Sequence, residues 1–180
     1  MNFDVIKSNK IFNGKVFDVK VDEIRYHESG NLGIREVAIH PGGAVVVPVS
    51  KDGKIFLISQ YRYPMNETTI ELPAGKLEKN EDPLIAAQRE LKEETGLNGN
   101  QPTLFDVKIH LNGYYGDILI VIYRMILQSF EILPGDDVQD ARFFKIDERP
   151  QLVFSIHEQL LKRWLSERES KKYERIVGKK

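Results

Sequence analysis

Apolar residues fall first into short runs of strand-like spacing and later into runs of helical spacing. In "KVFDVKVDEIRY", Val16, Val19 and Val21, with Phe17 beside them, alternate with polar residues. "NLGIREVAIH" then follows a Ser29-Gly30-Asn31 turn, so the N-terminal part reads as a hairpin or meander. "GGAVVVPVS" and "KIFLISQYRY", separated by Lys51-Asp52-Gly53, read as a hairpin with one or two buried strands. Further on, "LFDVKIHL", "ILIVIYRMIL" and "ARFFKID" are strand candidates. "QLVFSIHEQLLKRWLSERESKKYERI" predicts a closing amphipathic helix with Phe154, Ile156, Leu160, Leu161 and Trp164 on its apolar side. The class is therefore mixed α/β. Pro41-Gly42-Gly43 is the expected boundary between a small antiparallel β-subdomain, 1–40, and the main domain, 41–180.

Between the strand-like halves lies "GKLEKNEDPLIAAQRELKEETGL". Pro83 suits the first position of a helix, Asp82 can cap the free N–H groups, and Gly96 suits the residue after the last turn, which predicts a helix over 83–95. At helical spacing Leu84, Ala87 and Leu91 share one side, while Glu90, Glu93 and Glu94 sit at i, i+3 and i+4 on another. Such a patch fits two readings: a solvated acidic face laced by an Arg89–Glu93 pair, or a cation site that relieves the repulsion among three carboxylates. Oxygen donors without cysteine or clustered histidine point to Mg²⁺ or Mn²⁺ rather than Zn²⁺, and the acidic loop of an EF-hand is missing.

Composition narrows the remaining choices. A chain of 180 residues, 41% hydrophobic and 29% charged, can bury one good core and is short for two. Lys and Arg number 26 against 27 Asp and Glu, so bulk charge indicates neither a nucleic-acid surface nor a polybasic membrane anchor. The start has no apolar signal region and the run "ILIVIY" is too short to span a bilayer, which leads to the expectation of a soluble cytoplasmic protein. The lack of cysteine excludes disulfides and thiolate ligands.

Gly75, Glu81, Arg89-Glu90-Leu91, Glu93-Glu94 and Gly96-Leu97 match the Nudix box at each of its nine fixed positions, and the surrounding strands and helices are similar to the Nudix α/β/α sandwich with a mixed sheet. The resemblance implies hydrolysis of a nucleoside diphosphate linked to another group, with Mg²⁺ held against the pyrophosphate. It gives Glu90, Glu93 and Glu94 metal-ligand positions, Ala74 a backbone ligand, Arg89 the task of orienting the glutamates, and Glu81 a supporting place. The chemistry needs such a site because a pyrophosphate repels both an anionic protein and an attacking water until cations neutralise it.

Outside the box, "SQYRYPMNETTIELPAG" resembles the subgroup that cleaves ADP-ribose and other nucleoside diphosphate sugars. That resemblance makes Arg62 a phosphate clamp through a bidentate fork, where a plain reading makes it a strand-end surface residue. It also brings in Glu71 of the Glu71-Leu72-Pro73-Ala74-Gly75 run, and Tyr61 beside Arg62. Core or edge packing is the preferred role for Tyr61 and Tyr63. In this subgroup the N-terminal strands pair across a homodimer and reach the partner's nucleotide pocket, which makes Phe12, Phe17 and Arg35 candidates there. Core packing is the preferred reading of both Phe residues.

Members selective for ADP-ribose resemble each other in a proline about sixteen residues past the box, absent from "HLNGYYGD". Tyr114 and Tyr115 stand instead near where dinucleoside polyphosphate hydrolases carry a tyrosine. Such a residue could stack on a base or simply belong to a turn. In the subgroup the catalytic base comes from a loop after the box. Asp136, Asp137 and Asp140 of "LPGDDVQDARFF" occupy that place, though a turn with Asx hydrogen bonds explains at least one of them. The expected activity is thus Mg²⁺-dependent hydrolysis of nucleoside diphosphate sugars. The alternatives are hydrolysis of dinucleoside polyphosphates or oxidised nucleoside triphosphates, and a catalytically silent nucleotide sensor.

Overall fold

The structure is a computed structural model that describes residues 2–110, 118–128, 131–135 and 138–177. Three strands come first: β1 (Phe3–Asn13), β2 (Asp18–Tyr26) and β3 (Leu32–Ile39) form an antiparallel meander in the order β1-β2-β3. The sequence reading places strands from residue 15 onward and has none at β1. In β1 the register slips between Val5 and Lys7 and again between Lys10 and Phe12, so its apolar residues do not keep the two-residue period.

The second sheet contains β4 (Gly43–Val49), β5 (Ile55–Arg62), β6 (Glu67–Glu71), β7 (Ala74–Lys76), β8 (Gly99–His110), β9 (Ile118–Leu127) and β10 (Val138–Phe144). Its main path runs β10-β5-β4-β9-β8, with β6 added to β5 and β7 to β4; β4 and β9 run parallel and the other pairs antiparallel. Helix α1 (Pro83–Thr95) packs on one face and α2 (Ser155–Val177) on the other.

The continuous apolar run of β4 follows from this layering, because a strand covered on both faces has no polar side. Ala44 and Val46 join Phe56, Ile58, Ala87 and Leu91 in the core beneath α1. Val45, Val47 and Val49 join Ile55, Leu57, Leu160 and Trp164 beneath α2. The result is a three-layer α/β/α sandwich. Helix α1 spans the expected residues: Asp82 accepts the Leu84 N–H at 2.7 Å, and Gly96 closes the helix with φ of 73°.

Strand β8 begins five residues before the expected "LFDVKIHL". Pro102 hides this part, but β8 is an edge strand and Pro102 falls in the slip between Asn100 and Thr103, next to Gln101 with φ of 50°. Phe12 and Phe17 are not core residues. They are 53% and 44% exposed and face each other with ring centroids 6.2 Å apart.

Candidate active site

The loop after β7 and helix α1 are tied together by one cation. Arg89 holds both oxygens of Glu81 through Nε and Nη2, at 2.9 and 3.0 Å, and its Nη1 reaches Glu90 at 2.7 Å and Glu93 at 3.1 Å. Nη2 also donates to the Lys76 carbonyl at 3.2 Å. Bonding to Arg89 first, and to the Glu78 N–H second, draws the Glu81 carboxyl down to about 2. The expected Arg89–Glu93 pair is therefore one arm of a larger fork.

Glu94 lies deeper. It accepts the Ala74 N–H at 3.1 Å, and burial, followed by the nearby Glu90 carboxylate, pushes it up to about 8. Burial raises Glu90 too, partly offset by Arg89. Gly75 supplies the space between them: a Cβ there would lie 1.9 Å from Glu90 Cδ. The box glycine thus serves close approach of a carboxylate to the strand, and no positive φ is involved.

Next to this cluster, Arg62 at the end of β5 donates through Nε and Nη2 to the two oxygens of Glu71, at 2.8 and 2.6 Å. Glu71 is 1% exposed and also accepts from Thr69. The fork expected to grip a phosphate is therefore filled by Glu71; among the described residues the Nη1 side of Arg62 has no partner and remains for a ligand. The guanidinium lies 5.8 Å from the Phe154 ring centroid. A cavity of about 300 Å³ opens here, lined among others by Arg62, Glu71, Ala74, Gly75, Phe154 and His157.

The structure thus brings Ala74, Arg89, Glu90 and Glu94 together, sets Glu93 at the rim with its side chain 61% exposed, and places Arg62 and Glu71 alongside. Tyr61 and Tyr63 do not pack in the core. They are 44% and 84% exposed, and Tyr61 donates to Asn66 at 2.7 Å. Arg35 lies on β3, bonded to the Tyr26 hydroxyl and to the Ile34 carbonyl. Asp140 sits on β10, paired with Arg142 and capping the Ala141 N–H, and is not among the residues lining the cavity. Tyr114, Tyr115, Asp136 and Asp137 lie outside the described residues.

His40, Lys76, Phe154 and His157 line the cavity without having been singled out for it. Their visible signals are Phe154, on the apolar side of the expected last helix, and His157 inside the same stripe.

Whether a divalent cation suits this site can be judged from the side chains. Among the described residues no three His, Asp or Glu side chains already converge as a ligand set, since Glu90 and Glu93 are turned onto Arg89. The donor set is nevertheless all oxygen, two of its carboxylates are raised by burial, and glycine keeps the space beside Glu90 open. Burying such charges is unfavourable without a cation, so the residues fit a hard divalent metal.

Residues 39–164 match the NUDIX domain. The chain is 43% identical over 151 residues to the methanol dehydrogenase activator of Bacillus methanolicus, covering 82% of this chain and 81% of that protein. It is 39% identical over 153 residues to the ADP-ribose pyrophosphatase of Bacillus subtilis strain 168, covering 83% and 82%. A crystal structure of an ADP compounds hydrolase superposes with a TM-score of 0.71 at 20% identity, over 93% of this chain and 96% of that one, and so shares its fold. With the fixed positions of the box running from β7 through the following loop and α1 to the residues just after it, and with the domain match spanning most of the chain, this protein belongs to the Nudix family.

Proposed function

We propose that the site takes ADP-ribose and nucleoside diphosphate hexoses, with Mg²⁺ as its metal and Mn²⁺ as a substitute. The chain is a Nudix pyrophosphatase that hydrolyses the pyrophosphate bond of nucleoside diphosphate sugars to a nucleoside monophosphate and a sugar phosphate. The observation that carries the substrate reading is the Arg62–Glu71 fork beside Ala74 and Gly75, opening on one cavity wide enough for a sugar or a base. Relatives named ADP-ribose pyrophosphatase support it.

Nudix hydrolases generally need a divalent metal. Glu90, Glu93, Glu94 and the Ala74 carbonyl are the residues assigned to hold it, where it would neutralise pyrophosphate charge and acidify a water. Arg89 keeps Glu90 and Glu93 oriented. Arg62, fixed in plane by Glu71, presents its Nη1 side to a phosphate oxygen, and Ile118, Ile120 and Phe154 give the cavity apolar lining. Asp136, Asp137 and Asp140 are the candidate proton acceptors, and Tyr61, Tyr114 and Arg35 the candidate outer contacts to the nucleotide.

The test is a substrate panel with Mg²⁺, read by phosphate release after phosphatase treatment. ADP-ribose should give AMP and ribose 5-phosphate, with one ¹⁸O from labelled water in one product. Faster turnover of diadenosine polyphosphates or nucleoside triphosphates than of any diphosphate sugar would refute this substrate reading.

We also assign the N-terminal sheet to a homodimer interface and place the protein in the cytoplasm. All eleven residues of β1 are exposed, among them Phe3, Val5, Ile6, Ile11 and Phe12, and Leu32 and Ile34 on β3 are exposed as well. Light scattering at micromolar concentration is expected to give twice the chain mass, 20.8 kDa; a monomer would end this assignment.

A further inference from the structure

Between β6 and β7 the chain crosses from the edge of β5 to the edge of β4 in two residues, Leu72 and Pro73. A crossing strand loses its ladder partners, and each buried N–H then needs another acceptor. Pro73 has no N–H to satisfy, and its carbonyl accepts the Val46 N–H at 2.8 Å. Leu72 does have one and is fully buried. Its N–H donates to Nδ1 of His157 on the first turn of α2, at 3.3 Å.

This crossing peptide joins the two halves of the site. Glu71, which fixes Arg62, immediately precedes it; Ala74, which bonds Glu94, and Gly75, which gives Glu90 its space, immediately follow it. The start of α2 touches the arginine half again, because Phe154, the residue just before the helix, lies under the Arg62 guanidinium and edge-on to the His157 ring, with centroids 5.5 Å apart.

We infer that His157 is a positioning residue for hydrolysis, its Nδ1 holding the Leu72 N–H so that the Arg62–Glu71 fork and the Ala74-Gly75 strand keep their mutual spacing. It touches no reacting atom. Burial also draws its imidazole down to about 4, so the ring is neutral in the working range and Nδ1 is free to accept. The inference rests on the reading of the site given above. It extends that reading by making the C-terminal helix part of the machinery.

The experiment compares His157→Asn, whose side-chain oxygen can occupy the place of Nδ1, with His157→Leu, of similar size and without an acceptor. Both lose the imidazole packing, and the Leu variant also leaves the buried Leu72 N–H without its acceptor, so its urea midpoint should fall at least as far as that of the Asn variant. With Mg²⁺ and ADP-ribose the Leu variant should lose about 10²-fold, mostly in kcat, as expected for a small misplacement of catalytic groups. The Asn variant should stay within a few-fold of wild type.

Two readouts do not depend on turnover. The Leu72 amide should exchange with solvent faster in the Leu variant than in the Asn variant, and ¹⁵N shifts of wild-type His157 should show Nδ1 unprotonated and Nε2 protonated. If the Leu variant does not fold, His157→Gln, which moves the acceptor one bond outward, takes its place. Equal kcat in the two variants, equal Leu72 exchange, or a proton on Nδ1 would overturn the inference. Failure of wild type to cleave any diphosphate sugar would instead count against the substrate reading and leave the exchange and tautomer results standing.

Discussion

Glu94→Gln is expected to lower kcat by about 10²- to 10⁴-fold, the several kcal/mol of charge stabilisation that a bound metal supplies, while making the metal-free protein more stable at alkaline pH. Both effects come from one environment. Glu94 is buried, sits beside Glu90 and accepts the Ala74 N–H, and its carboxyl stands at about 8 against an ordinary 4.5. A carboxyl raised by folding holds its proton more tightly in the native state. Its contribution to stability is therefore complete below about pH 4.5 and is lost as pH rises through about 8. In EDTA the wild-type protein should lose a few kcal/mol relative to the Gln variant over that span, at about 1.4 kcal/mol for each pH unit of the shift. Urea unfolding at several pH values, with and without Mg²⁺, measures it: added Mg²⁺ should stabilise wild type and do little for the variant. Near-normal activity of the variant would remove Glu94 from the metal site.

Gly75→Ala is the second large effect, and it separates catalysis from folding. The new methyl group would stand 1.9 Å from Glu90 Cδ and 2.0 Å from one of its oxygens. Those atoms are the end of a flexible side chain, so the chain can fold by turning the Glu90 carboxylate away, and φ at residue 75 poses no obstacle. A displacement of that size at a ligand position should cost about 10²-fold or more in kcat/KM, with Mg²⁺ affinity weakened in calorimetry. The melting temperature should change little. A variant with normal turnover would show that Glu90 does not need the place that it occupies against β7.

Much of the candidate site was legible because it is local. Helix α1 carries its own start and stop signals in Asp82, Pro83 and Gly96, and helical spacing alone brings Glu90, Glu93 and Glu94 to one side. What hid elsewhere was broken periodicity. The slips in β1 and β8 shift apolar residues out of alternation, and β6 and β7 are too short to show any.

The sequence by itself determined the Nudix box, the ends of α1, the buried central strand and the mixed α/β class, since each depends on residues within a turn or a strand of one another. Only the tertiary structure decided that the Arg62 fork is occupied by Glu71, that Gly75 is there for Glu90, and that Phe154 and His157 at the start of the last helix line the cavity. Those contacts join residues nine, fifteen and up to ninety-two positions apart, as Arg62 and Phe154 are. Their geometry comes from the stacking of two helices on a sheet whose strand order differs from chain order, and no local pattern encodes that.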